Sequence, residues 1–168
     1  MFKLCSLKDG DFNIVIKTSE RIGIYELTEK FEEIVKTSKI DSGLLFYTVN
    51  HTTCGIFKQE FQKALIKDFI QEFQIKESEI RDREHLCEYR LERGTRHDCK
   101  ICSINPPCDR KNTAAHILTS LYAKDNSPLL VKNSKIILGE FKRIGLVDFD
   151  GPRTRIIEVK AVRIESDY

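Results

Sequence analysis

Only four histidines, His51, His85, His97 and His116, are available in this 168-residue chain to move a proton or hold a metal near neutral pH. His51 closes the run Val49-Asn50-His51-Thr52-Thr53, directly after an apolar stretch, where a strand end would present it beside a turn. His116 follows Asn112 and Thr113, which open an apolar-periodic segment. In a first helical turn the backbone dipole disfavours imidazolium, and the neutral ring is the metal-binding form. Glu60, nine residues after His51 and near the start of a long helical pattern, could be a general base, a ligand or a carboxylate favourable to the helix dipole. Asp148, Asp150, Arg153 and Arg155 crowd around Gly151-Pro152, either as a polar turn or as an Arg pair able to clamp a phosphate or carboxylate. Cys99-Lys100-Ile101-Cys102, with Cys87 and Cys108, offers four thiols in one stretch. They could close a structural zinc site, remain free, or form disulfides. One CxxC falls short of the paired knuckles of a zinc ribbon, and Asn105-Pro106-Pro107 disfavours the helix that a redox CxxC opens.

These residues need a scaffold, and the apolar periodicities outline one. Phe12, Ile14 and Ile16 alternate as in a half-buried strand, with Ile22, Ile24 and Tyr25 following in β-prone surroundings. Thr28 is placed to cap a helix carrying Phe31, Ile34 and Val35, and Leu44–Val49 reads as a continuous apolar strand. Phe61, Leu65, Phe69 and Phe73, with Ile66 and Ile70, line one face of a helix of about four turns. A shorter helix opens at Asn112 or Thr113 and uses Ile117, Leu118 and Leu121. Strands at 129–131, 136–138, 145–147 and 155–164 complete the chain, with turns at Asn133-Ser134 and Asp150-Gly151-Pro152. Two longer helices and a short one among six to eight mostly hairpin-linked strands predict an α+β fold, helices packed on antiparallel sheet.

Composition narrows the function classes. With 28 Lys+Arg against 26 Asp+Glu the net charge is +2, too small for a protein held to nucleic acid by phosphate neutralisation. No apolar run approaches the ~20 residues of a membrane span, and the first residues lack a secretory signal, so a cytoplasmic location is expected and the cysteines read first as thiols or ligands. Residues 76–111 hold 17 charged residues in 36, against 32% overall, and few large apolar side chains. That segment reads as a charged, cysteine-bearing insertion, a helix tail and then a long loop, within a single domain spanning 1–168.

Taken in order, the elements resemble the YjbQ-like family, also known as secondary thiamine-phosphate synthase enzymes. His51-Thr52-Thr53 with Glu60 is similar to its "HTT…NE" signature, and Thr95-Arg96-His97-Asp98 to its "yrHd" element. Asn112-Thr113-Ala114-Ala115-His116 resembles "NaDAH", Leu138–Lys142 resembles "LGtWQ", and Asp150-Gly151-Pro152-Arg153-Thr154-Arg155 resembles "DGPRxR". His85 matches none of these. The resemblance covers about 12–162 and implies a compact α+β sandwich that assembles as a homotrimer. It further implies a site near the subunit interface in which His51, His97 and His116 hold a divalent metal, zinc by default for nitrogen ligands. Glu60 would be the general base or would orient a ligand. Asp150 is the further catalytic candidate in the hairpin motif, and Arg153 and Arg155 are candidates for binding an anion.

The family name implies joining a pyrimidine diphosphate to a thiazole phosphate with loss of pyrophosphate. The expectation is a metal-dependent enzyme acting on a small phosphorylated or anionic molecule, with weak thiamine-phosphate synthase activity. The alternative is a non-catalytic trimer that binds metal or anion. This chain departs from the family pattern in several places. Ala114 replaces the acidic residue of "NaDAH", Phe141-Lys142 replaces "WQ", and Gln59-Glu60 replaces "NE". The stretch between His97 and Asn112 is also longer, and it sets Cys99 beside the ligand candidate His97.

Overall fold

The computed structural model describes residues 1–7, 10–83, 112–123 and 126–164. Its elements run β1 (Phe2–Ser6), β2 (Asp11–Lys17), β3 (Gly23–Glu26), α1 (Thr28–Ser38), β4 (Gly43–Val49), β5 (Cys54–Glu60), α2 (Lys63–Arg83), α3 (Thr113–Tyr122), β6 (Leu129–Lys132), β7 (Lys135–Ile136), β8 (Lys142–Asp148) and β9 (Thr154–Arg163). A six-stranded sheet has the order β1-β2-β9-β4-β6-β7, and a three-stranded sheet the order β3-β8-β5. Every strand pair is antiparallel.

The period-2 pattern of β2 does what it predicts: Phe12, Ile14 and Ile16 are buried, and the residues between them are less so. They join Leu45 and Tyr47 of β4, Leu129 and Val131 of β6, and Ile157 and Val159 of β9 as the inner face of the large sheet. Opposite lie Cys54 and Ile56 of β5 and Ile144 and Leu146 of β8, with Phe31, Ile34 and Val35 of α1 sealing the same core. The small sheet is covered on its other face too. There Val147 and Phe149 meet Phe73 of α2 and Ala115 and Leu118 of α3. Burial on both faces explains why β8 reads as a continuous apolar run rather than an alternation.

The α+β architecture with helices on antiparallel sheet is as expected, and several local details differ. Nine strands are present among the described residues, because β1 and β5 lacked a strong enough alternation to stand out. Thr28 does not cap α1. It is the first helical residue, and its hydroxyl accepts the backbone N–H of Ile144 at 3.0 Å, which ties the helix to β8. Glu60 is the last residue of β5 rather than a helix-start residue, since α2 begins at Lys63. Asn112 precedes α3 as anticipated, but its side chain is spent elsewhere. The Asn133-Ser134 turn is a two-residue hairpin with both residues at positive φ, 51° and 57°, the twist that matches its flanking strands. The helix tail expected in the charged insertion is present, α2 continuing to Arg83; residues 84–111, with His85, His97, Cys87, Cys99, Cys102 and Cys108, lie outside the described residues.

Candidate functional site

The β8–β9 connection crosses from the small sheet to the large one, so its polar residues sit at the edge of two cores. Asp148 ends β8 with no exposed surface, and Arg155, the second residue of β9, is 3% exposed. The guanidinium Nε of Arg155 donates to Asp148 Oδ2 at 2.9 Å, and its Nη2 donates to Oδ1. Asp148 also accepts the Thr18 hydroxyl at 2.9 Å and the backbone N–H of Asp150 at 3.0 Å. Arg155 Nη2 reaches the Thr53 hydroxyl at 3.1 Å. A charge pair taken out of water survives only when its remaining donors and acceptors are met, and here four donors meet one carboxylate. Arg155 is therefore a structural anchor and is not free to clamp an anion.

A second, more open layer lies above it. Arg153 donates from Nε to the Asp150 carbonyl at 2.7 Å and places Nη2 3.0 Å from Asp150 Oδ2. Asn112, at the start of α3, donates to the same oxygen at 3.1 Å. Arg21, from the β2–β3 connection, sits 3.7 Å from Asp150 Oδ1 and holds Glu77 of α2 through Nε and Nη2 at 2.9 and 2.7 Å. Asp150 is thus the point at which α3, the β2–β3 connection and the β8–β9 connection meet. Gly151 permits the crossing. Its N–H donates to the Arg21 carbonyl at 3.0 Å, and an added Cβ would come within 2.0 Å of the Glu20 carbonyl oxygen.

His51 approaches from the end of β4. The β4–β9 ladder stops at the Val49–Ile157 pair, and the next available backbone donor of β9, the Ile156 N–H, donates to His51 Nε2 at 3.1 Å. The imidazole so continues the ladder by one step. Its pKa is held below 6.5 by burial first, then by the Arg155 guanidinium; Asp148 opposes this, and Arg153 adds to it. The neighbouring Cys54 thiol is pushed up to about 12, chiefly by burial, which makes it a protonated core group and not a nucleophile.

Of the residues singled out from sequence, the structure brings His51, Asp148, Asp150, Arg153 and Arg155 together. Glu60 is elsewhere within the chain. Cys54 at one end of β5 pairs with Asp148, Glu60 at the other pairs with Lys142, and the six residue steps from one to the other span roughly 20 Å at ~3.3 Å each. His116 is an exposed residue of α3 with no interaction to His51 among the described residues. His97 and the four clustered cysteines lie outside the described residues. Three participants had not been singled out: Thr18, Arg21 and Glu77. None belongs to a motif, and Arg21 and Glu77 are 56 positions apart.

A metal held by His51, His97 and His116 can be tested against this geometry at His51. A nitrogen ligand needs a free lone pair. The Nε2 lone pair of His51 is engaged by the Ile156 N–H, so the proton of the neutral ring belongs on Nδ1, and neither nitrogen is free for a cation. Among the described residues, no three His, Cys, Asp or Glu side chains converge to hold a metal ion. His51 as placed does not fit a metal ligand.

The arrangement defines a class: a two-sheet α+β protein in which a buried Asp–Arg pair supports a rim of His, Arg and Asn where the chain crosses between the sheets. Within that class the chain belongs to the YjbQ-like UPF0047 family, whose model matches residues 12–164. A UPF0047 protein of Archaeoglobus fulgidus is 31% identical over 150 residues, covering 89% of this chain and 98% of that one. The UPF0047 protein YugU of Bacillus subtilis is 28% identical over 146 residues, covering 86% and 93%. Among solved structures, a YbjQ-like protein of unknown function from Sulfolobus solfataricus superposes with a TM-score of 0.66 at 22% identity, covering 98% of this chain and 100% of that one. A hypothetical protein from Aeropyrum pernix does so with a TM-score of 0.66 at 23% identity, covering 92% and 98%. At these identities the structural likeness speaks for the fold. No helix among the described residues is long and apolar enough to cross a membrane.

Proposed function

We propose that this chain binds a small phosphorylated or otherwise anionic molecule at the rim formed by Arg21, Arg153 and His51, and acts on it. One observation carries the reading: two guanidiniums from separate segments converge on Asp150 with 41% and 37% of their side chains exposed. Glu77 and Asp150 occupy part of each guanidinium fork and orient it, leaving N–H groups at the surface for a multidentate oxyanion. The three arginines are balanced by Glu77, Asp148 and Asp150, so recognition would come from directed donors rather than from net charge. The reaction implied by the family resemblance is the joining of a pyrimidine diphosphate to a thiazole phosphate with release of pyrophosphate. The homotrimer it implies belongs to the same proposal.

Incubation with both phosphates, followed by mass detection of the coupled product, tests the activity. Calorimetric titration with pyrophosphate tests the site. Product is expected, together with pyrophosphate binding that weakens roughly tenfold in Arg153→Ala, the size expected for a lost charged hydrogen bond. Pyrophosphate binding without product would transfer support to a non-catalytic anion-binding protein. That second reading is favoured by the saturation of both carboxylates, Asp148 and Asp150: Asp148 accepts four donors, and Asp150 is engaged by Arg153, Asn112 and Arg21, so neither stands free as a general base. Absence of binding would overturn both. Light scattering checks the assembly, with three times the chain mass expected and a single-chain mass overturning it.

A further inference from the structure

The site contains a histidine whose acceptor nitrogen is used up and whose remaining ring donor is not. The β4–β9 ladder ends at Val49–Ile157, and Ile156 N–H, with no strand partner on that side, takes His51 Nε2 as its acceptor at 3.1 Å. A part-buried backbone N–H at the end of a ladder loses a bond if left unpaired, so this contact constrains the ring rather than merely touching it. With Nε2 accepting, the neutral imidazole must carry its proton on Nδ1, the opposite of the form that a free histidine side chain favours in water. Nδ1–H has no acceptor among the described residues, and the ring is only half-buried. The surroundings keep the ring neutral. Burial first, then Arg155 from β9, and Arg153 from the turn before it disfavour a second ring proton, Asp148 from β8 favours one, and the β5 thiol of Cys54 stays protonated.

We infer that His51 serves as a fixed Nδ1–H hydrogen-bond donor to an oxygen of the bound anion, held in that tautomer by the Ile156 N–H, and that it is not a metal ligand. The inference rests on the anion-site reading above and assigns it a third donor besides the two arginines. The Asp148–Arg155 pair acts through His51 as a positioning device: it fixes the start of β9 and with it the direction of the Ile156 N–H. The role distinguishes between two amides that are otherwise similar. Asparagine places its amide where Nδ1 lies along the side chain, whereas glutamine reaches toward Nε2, so only the first can replace the donor.

Long-range proton–nitrogen NMR of the histidine side chains of the whole protein, assigned with His51→Ala, reads the tautomer directly. A protonated Nδ1 and an unprotonated, hydrogen-bonded Nε2 are expected for His51, with both signals unmoved by added zinc and the Nδ1–H proton shifted by pyrophosphate. A protonated Nε2, or zinc-induced shifts at either His51 nitrogen, would overturn the inference. Calorimetry supplies the second arm. His51→Ala is expected to weaken pyrophosphate binding about tenfold and His51→Asn about threefold or less, with His51→Gln resembling the alanine variant. Equal losses in all three would overturn the donor role. If wild-type protein shows the expected tautomer and no pyrophosphate binding, the donor role falls together with the anion-site reading. If pyrophosphate shifts the arginine Nε–H signals and leaves His51 unmoved, only the inference about His51 falls.

Discussion

Asp148 accepts hydrogen bonds from Arg155, Thr18 and the Asp150 backbone with none of its side chain exposed. A surface carboxylate with the same partners would be screened by water and contribute little. Buried, the pair is stable only while both members are present. Asp148→Asn keeps the size of the side chain and removes its charge, leaving the Arg155 cation uncompensated in the core. The expected cost is roughly 3–5 kcal/mol, read from the denaturant midpoint, whereas the double variant Asp148→Leu/Arg155→Met should recover most of it. A loss below about 1 kcal/mol in Asp148→Asn would show that water reaches the pair. The same residues explain what could be read in advance. Asp148, Asp150, Arg153 and Arg155 stand out in sequence because they crowd one turn, but nothing in their order says that Arg155 points inward and Arg153 outward. The start of β9 settles it: Arg155 lies inside the strand and faces the core, whereas Arg153 precedes the strand and so escapes the alternation that would set both on one face.

At the scale of elements, α2 and α3 are held to the small sheet by an aromatic cluster centred on Phe73. Its ring lies 5.1 Å from Phe149, 5.2 Å from Tyr122, 6.0 Å from Phe69 and 6.4 Å from Phe57. Phe69 and Phe73 are one helical turn apart, so the apolar stripe was legible in the sequence; that β5, α3 and the residue after β8 would supply the facing rings was not. Phe73→Ala should cost about 3–5 kcal/mol, because a 2%-exposed ring with partners on several elements leaves a cavity that cannot easily collapse. The α2-borne Glu77 should lose its grip on Arg21 in the same variant. Pyrophosphate affinity is therefore expected to fall along with stability, whereas unchanged affinity would show that the rim is set by the β8–β9 connection alone. Glu60 shows the opposite limit of sequence reading. It is only nine residues from His51 in sequence, yet β5 runs away from the site and carries it to the far end of the sheet. Proximity in sequence translates into proximity in space for helices and tight turns, and into separation along a strand.

For the whole molecule, the lowered pKa of His51 links folding to pH. In the unfolded chain the ring titrates near 6.5, and in the folded chain below it, so between these two values the unfolded state binds more protons. The contribution of His51 is therefore fully present above 6.5 and is lost as pH falls below that value. Urea midpoints of wild type should drop more steeply on acidification through this window than those of His51→Asn, in which the group cannot titrate. Parallel curves would place His51 in water. What the sequence by itself determined was the α+β class, most helices and strands, the turns at 133–134 and 150–152, and a family resemblance that the comparison with known proteins bears out. These follow from local periodicity, turn chemistry and ordered short motifs, all of which are written in consecutive residues. Only the tertiary structure decided which side chains share a site: it joined Thr18, Arg21 and Glu77 to the β8–β9 connection, buried Arg155, separated Glu60, and engaged the His51 lone pair with a backbone N–H. Such pairings depend on which strand lies beside which and on where a ladder stops, and those are set by the packing of two sheets around a shared core.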